Sequence, residues 1–401
     1  MNQSKTFTYL LAAGSVALVA LMVCYPEVAV GGSIKGLTIW WNQVFPALFP
    51  FFVLAELMIS FGVVNFAGIL MEPLMRPIFR LPGIGGFVLM MGVVSGFPAG
   101  ARITADLYKD KKLTKSEAER LASFTNFSNP LFIFSVTAVQ FFHQASLGII
   151  FALSHYFGNL CVGLTMRFFS NSKKRTNTVQ VRSRFVYALE CMHQERLAHN
   201  QPFGKKIGDA VVSSVTTLLA IGGFIALFSM LYQLFLNIGA INLLGEVLSI
   251  CFKWIGFSPE LGSAVIPGLF ELTIGDKSVA ELTSVPLIEQ VVVVSGLLGF
   301  CGFSIQAQAV SILSQAGLSS RLFLIGRILQ MIYSSIAAFL LFHVFSTNSS
   351  TVETTTAFSQ NLSVLTHRAV FWGPTLTFVV LIIFILLQLH RVCSHSHHLN
   401  G

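Results

Sequence analysis

Ser95-Gly96-Phe97-Pro98-Ala99-Gly100 interrupts one apolar run of this chain, and Ile266-Pro267-Gly268-Leu269-Phe270-Glu271 interrupts another at the matching place in its second half. About thirty residues beyond each lies a further interruption, Thr125-Asn126-Phe127-Ser128-Asn129-Pro130 in the first half and Leu298-Gly299-Phe300-Cys301-Gly302-Phe303 in the second. Glycine and proline weaken or end helices. Helices broken inside a membrane at duplicated positions mark the solute site of many transporters.

Composition sets the class. Of 401 residues, 54% are hydrophobic and only 10% are charged, too apolar a balance for a soluble domain to cover. Phe7 to Cys24, Val211 to Leu236 and Val370 to Leu389 each reach the roughly 18 apolar residues of a spanning helix. The first is not followed by a small-residue cleavage site, so it reads as a retained helix. The formal charge of +8 does not indicate nucleic acid, because Lys and Arg gather in two loops, as the positive-inside bias requires. The six cysteines (Cys24, Cys161, Cys191, Cys251, Cys301, Cys393) form no C-x-x-C pair, which argues against a disulfide framework or a zinc site. His390, His395, His397 and His398 make a polar tail, and neither a metal nor a cofactor is expected.

An offset near 173 brings Pro50-Phe51 onto Gly223-Phe224, Asn126-Phe127 onto Gly299-Phe300 and Asn129 onto Gly302, with Gly96 meeting Gly268. With a short insertion, Gly62, Asn65 and Gly68 meet Gly239, Asn242 and Gly245. The shared order predicts a duplication. Arg102 to Arg120 carries six Lys/Arg, whereas the corresponding Glu271 to Glu289 carries Lys277 beside four acids. Equivalent loops of opposite charge belong on opposite faces, so the repeats are expected to be inverted.

The fold expected is therefore an all-α polytopic membrane protein of two inverted repeats, each of about five helical segments with broken or re-entrant helices, plus flanking N- and C-terminal helices. Spans are expected at 7–25, 37–62, 64–80, 84–101, 122–141, 146–168, 208–238, 240–256, 260–272, 290–316, 320–345 and 369–390, with 64–80 and 260–272 as candidate re-entrant pieces. The organisation is 1–36, an N-terminal helix and loop; 37–169, repeat 1; 170–206, a basic linker; 207–345, repeat 2; and 346–401, an external loop, last helix and cytoplasmic tail. The linker holds eight Lys/Arg and two Glu and reads as a solvated connector, with lipid headgroups as its alternative contact.

A helix broken within the bilayer must turn its free N–H and C=O groups toward protein, water or a solute. Fragment N-termini favour anionic groups. Candidate solute-binding positions are Ser95, Gly96, Phe97, Pro98, Arg102, Asn126, Phe127, Ser128 and Asn129 in the first half, and Gly268, Glu271, Gly299, Phe300, Gly302, Ser304 and Gln306 in the second. Thr273 and Gln308 add polarity nearby. Amides and hydroxyls suit a planar polar solute, and phenylalanines can stack on a ring. Intramembrane ionisable residues are few, and His155, Glu271 and Arg327 are candidates for moving a proton or offsetting charge, with interfacial snorkelling as the other reading of Arg327. No Walker A run, H-E-x-x-H or G-x-S-x-G occurs, so catalysis and ATP-driven transport by this chain are not expected.

Ser95-Gly96-Phe97-Pro98-Ala99-Gly100-Ala101-Arg102, then Glu117 through Asn129-Pro130-Leu131-Phe132-Ile133, then His155-Tyr156, resemble the YlbJ (SpoVV) sporulation integral membrane protein family, over about residues 35 to 345. Phe97, Phe127 and Asn129 stand where that pattern has Tyr, Asn and Gly. The family belongs with nucleoside-recognition or Gate-domain membrane proteins. The resemblance implies transport of a small organic anion, dipicolinic acid, from the mother cell through the outer forespore membrane, alongside membrane lipid and other sporulation membrane proteins. A nucleoside or other small-solute carrier is the alternative, and a non-transporting sporulation scaffold a second. A dicarboxylate needs cationic partners such as Arg102 or Arg327, and a nucleoside does not.

Overall fold

Gly62 and Gly239 each end a long helix and redirect the chain with left-handed backbone, at φ 77° and 75°, which glycine adopts without the clash a Cβ brings. They stand at equivalent places in two copies of one element order. The computed structural model describes residues 5–169, 184–198 and 201–347. After α1 (Lys5–Cys24), the first copy runs α2 (Pro26–Ile39), a π-helical turn (Trp40–Val44) and α3 (Phe45–Ser60) as continuous helical backbone. It continues with α4 (Val63–Phe79), α5 (Ile84–Ser95), α6 (Ala99–Lys109), α7 (Lys115–Phe124), a π-helical segment (Phe132–Phe141) and α8 (Leu147–Met166). Beyond α9 (Arg184–Ala198), the second copy runs α10 (Phe203–Asn237), α11 (Ala240–Trp254), α12 (Leu261–Phe270), α13 (Leu272–Ala280), α14 (Leu287–Phe300), α15 (Gly302–Gln315) and α16 (Arg321–Thr347). No strand occurs among the described residues.

The copies are inverted, and glycines show how. A Cβ on Gly32 would meet Met230, one on Gly36 would meet Ala226, and one on Gly222 would meet Trp40. Residue numbers rise along one helix as they fall along the other, so α2–α3 and its counterpart α10 are antiparallel neighbours. Equivalent helices can pair in that way only if one copy is turned over relative to the other. Single cysteines replacing Lys109 and Lys277, whose side chains are 53% and 60% exposed, should then react with an impermeant thiol reagent from opposite membrane faces. Labelling from one face only, in a chain otherwise free of cysteine, would contradict the inversion.

The copies also share their cores. One apolar cluster combines Val64, Phe87, Leu121 and Phe124 with Ala309, Leu313 and Phe323, and another combines Ile133, Leu147 and Phe151 with Ile266-flanking Val265, Leu297 and Ala338. Each cluster thus joins segments of both copies. Lipid offers apolar side chains much the same environment as a core does, so close packing at small residues and buried hydrogen bonds carry this association.

Several expected spans are shaped differently. Among the described residues, four helical stretches are long and apolar enough to cross a membrane, Leu147–Phe169, Phe203–Asn237, Leu287–Gln315 and Arg321–Phe345, or up to six if each of two bent helix pairs is one span. The expected 37–62 span is part of helical backbone that starts at Pro26. The 84–101 and 122–141 spans are each divided, at 96–98 and at 125–129. Segment 64–80 follows α3 with an 83° bend and 260–272 is one short helix, consistent with pieces that do not cross alone. The basic linker is more than a solvated connector. Its α9 packs on α4, with Phe185 edge-on to Phe66 and Glu195 paired with Lys112 at 2.6 Å. The expected 369–390 span and the histidine tail lie outside the described residues.

Candidate functional site

Residues 125–129 form no regular secondary structure, and their backbone groups need partners inside the protein. Helix α8 supplies two at Ser128, whose N–H donates to His155 Nε2 at 2.9 Å and whose C=O accepts from the Tyr156 hydroxyl at 3.1 Å. Accepting through Nε2 means that this ring nitrogen carries no proton, and the Gln330 amide lies 3.3 Å from Nδ1 on the other side of the ring. From α16, Arg327 donates to the Ser123 carbonyl at 2.6 Å, the Asn126 carbonyl at 3.0 Å and Asn159 Oδ1 at 3.2 Å, and also to Gln330 Oε1. Its guanidinium lies 5.4 Å from the Phe323 ring and is fully buried. The cation therefore sits on the carbonyl end of α7, where the helix dipole favours it. Fully buried, it does not snorkel to an interface.

The breaks are tied to one another. Asn129 Oδ1 accepts from the Phe132 N–H at 2.8 Å, capping the helical backbone that begins at Pro130, while its Nδ2 reaches the Ser95 carbonyl at 3.4 Å. Gly100 lets α6 close on the irregular segment at Thr125, since a Cβ there would fall 1.9 Å from the Thr125 carbonyl oxygen. In the second copy, Glu271 caps α13, accepting from the Ile274 N–H at 3.0 Å and the Thr273 hydroxyl at 3.1 Å. Cys301, at φ 63°, separates α14 from α15, whose first residue Gly302 is at φ 68°, and Gln306 Nε2 donates to the Phe300 carbonyl at 3.0 Å.

A cavity of about 350 Å³ lies where these parts meet. The first copy contributes Gly96, Phe97, Ser128, Asn129, Phe132, Ser135 and Gln140; the second contributes Glu271, Thr273, Ile305 and Gln308. Asn42 and Ile221 line it from the two long antiparallel helices, close to where Trp40 meets Gly222. Among the described residues that line it, Glu271 alone is ionisable, and none is Lys, Arg or His.

Of the positions singled out in sequence, Gly96, Phe97, Ser128, Asn129 and Glu271 line this cavity. Ser95, Pro98, Asn126, Phe127, Gly268, Gly299, Phe300, Gly302, Ser304, Gln306, His155 and Arg327 do not, and several of them form the wall behind it. The Asn126 amide and the Ser95 hydroxyl are buried with no hydrogen-bond partner among the described residues. Arg102 is elsewhere: it pairs with Glu56, donates to Ser213 Oγ at 2.6 Å and lies 5.3 Å from the Phe52 ring. Sequence reasoning passed over Asn42 and Gln140, because it looked for ionisable residues and helix breaks. The available signal was a neutral amide in an otherwise apolar run.

Comparison with known proteins follows the same lines. The chain is 43% identical to the sporulation integral membrane protein YlbJ of Bacillus subtilis, over 98% of its own length and 99% of that protein's. It belongs to the YlbJ family. The Gate family model, described as nucleoside recognition, matches residues 41–145, which hold both breaks of the first copy. An uncharacterized protein of Alkalihalophilus pseudofirmus is 31% identical over 131 residues, covering 31% of this chain and 28% of that protein. Among solved structures, a CNTnw variant in its intermediate 3 state aligns with TM-score 0.42 and 12% identity, over 84% of this chain and 87% of its own. This YlbJ-family chain is accordingly a multi-pass, sporulation-associated integral membrane protein of the Gate class.

Proposed function

We propose that the protein carries a small planar polar solute across a membrane, and that during endospore formation this solute is dipicolinic acid crossing the outer forespore membrane. The observation that carries the reading is the cavity itself, built from broken segments of both inverted copies beside the helix pair that relates them. Its volume of about 350 Å³ falls within the range of small-molecule sites. Phe97 and Phe132 offer aromatic faces, and Asn42, Asn129, Gln140 and Gln308 offer amides that both donate and accept.

The lining also constrains how an acid would be held. With Glu271 present and no cation, a carboxyl group is received best by amides and hydroxyls in its protonated form, since an uncompensated charge out of water is costly. The same neutrality favours a second reading, a nucleoside carrier, in keeping with the Gate match over residues 41–145. Uptake of labelled dipicolinic acid, nucleosides and simple dicarboxylates into proteoliposomes separates the two. Gln308→Leu should weaken the apparent affinity for the transported solute by about 1–3 kcal/mol, roughly 5- to 150-fold, because a solute polar group loses its partner. Uptake of none of the three would favour a scaffold instead.

A further inference from the structure

Below the cavity, α3, α6 and α10 converge on an apolar layer of Leu48, Phe52, Ala99, Leu218 and Ile221. Leu48 and Ile221 face the large cavity, while Phe52 and Ala99 line a second and far smaller one, of about 10 Å³, with Glu56, Arg102 and Asp106 on its other side. The layer therefore separates the solute cavity from a polar cluster. Phe52 is 2% exposed, and the side chains of Arg102, Glu56 and Asp106 are 12%, 25% and 40% exposed, so exposure rises away from the cavity toward the Lys109 end of α6. Leu48, Phe52 and Glu56 succeed one another at one-turn spacing on α3, the spacing that stacks side chains along one helix face.

We infer that Phe52 and the Arg102–Glu56 pair form a gate that closes the solute cavity toward the face bearing the basic α6–α7 loop, an assignment that rests on the carrier reading above. Phe52 is the plug. Arg102 latches it, lying over the Phe52 ring while its guanidinium holds Glu56 on α3 and the Ser213 hydroxyl on α10. Ser213 also donates to Glu56 at 3.0 Å, so three elements from both copies are joined through one planar cation. Among the described residues the device has no counterpart in the second copy. Matching the copies by their helix starts places Ser229, Gln233 and Gly275 at the positions of Phe52, Glu56 and Arg102, and these supply neither a plug nor an ion pair. The pair is partly exposed, so a local change can open it without stripping charges from a dry core.

The test uses the full chain in membrane vesicles, cysteine-free except for Ser135→Cys in the cavity, and an impermeant thiol reagent applied from the face of the α6–α7 loop. Labelling should be slow. Phe52→Ala, Glu56→Gln and Arg102→Ala should each speed it by roughly tenfold or more, the population shift that about 1.4 kcal/mol produces. Exchanging the charges, with Glu56→Arg and Arg102→Glu together, should return the rate toward that of the parent. Unchanged labelling in Phe52→Ala and Glu56→Gln, in protein that elutes as a single folded species, overturns the gate. No solute is needed for this readout, so the gate and the identity of the solute can fail independently.

Discussion

Arg327→Met is expected to cost at least about 3 kcal/mol of stability, because the carbonyls of Ser123 and Asn126 and the side-chain oxygens of Asn159 and Gln330 all receive hydrogen bonds from that guanidinium, and each buried acceptor left bare costs about 1–3 kcal/mol. Thermal unfolding in detergent, followed by size exclusion of fluorescent fusions, measures it. Arg327→Lys should fall between the two, since an ammonium keeps the charge at the α7 C-terminus but lacks the planar fork that reaches several acceptors. Wild-type stability in Arg327→Met would mean that water or neighbouring donors already serve those carbonyls.

Gly275→Val should be equally damaging for a steric reason. A Cβ on Gly275 would stand 2.1 Å from the Gly268 Cα and 2.4 Å from its nitrogen, so α12 and α13 could not stay folded against each other. Overpacking typically costs about 1–3 kcal/mol and more where backbone must move, as it must here. The same break carries Glu271 into the cavity, so solute transport should be lost together with stability. Gly223→Ala is the matched control, because nothing lies within 4 Å of a Cβ at that position. A stable, active Gly275→Val would show that the hairpin tolerates an open form.

The course of the chain was readable because its cues are local. Glycine and proline at 95–100 and 266–271, the amide-rich stretch at 125–130 and the matching Gly62 and Gly239 each act on their own few residues, and each marks a place where a helix stops. The charge contrast between Arg102–Arg120 and Glu271–Glu289 likewise gave the inversion, since loop charge acts on topology without reference to tertiary contacts. Linker helix α9 was less legible: its helical pattern is weak, and its order comes from Phe66, Gly62 and Lys112, which precede it by more than seventy residues.

Arg102 and Arg327 show where that legibility stops. Arg102 follows a helix break and Arg327 lies within an apolar span, and by composition either could have met an acidic solute. Packing decided otherwise, giving Arg102 to Glu56 and Ser213 and turning Arg327 onto the end of α7. Asn42 became a lining residue because α10 crosses its helix in antiparallel fashion beside it, which nothing in the neighbourhood of residue 42 announces. The sequence by itself determined the membrane class, the duplicated order and the positions of the breaks, because hydropathy and helix breaking depend on short windows of chain. Only the tertiary structure decided which polar groups face the cavity, because a buried charge takes whatever partner the fold brings within about 3 Å, and those partners lie 46 to 204 residues away in sequence.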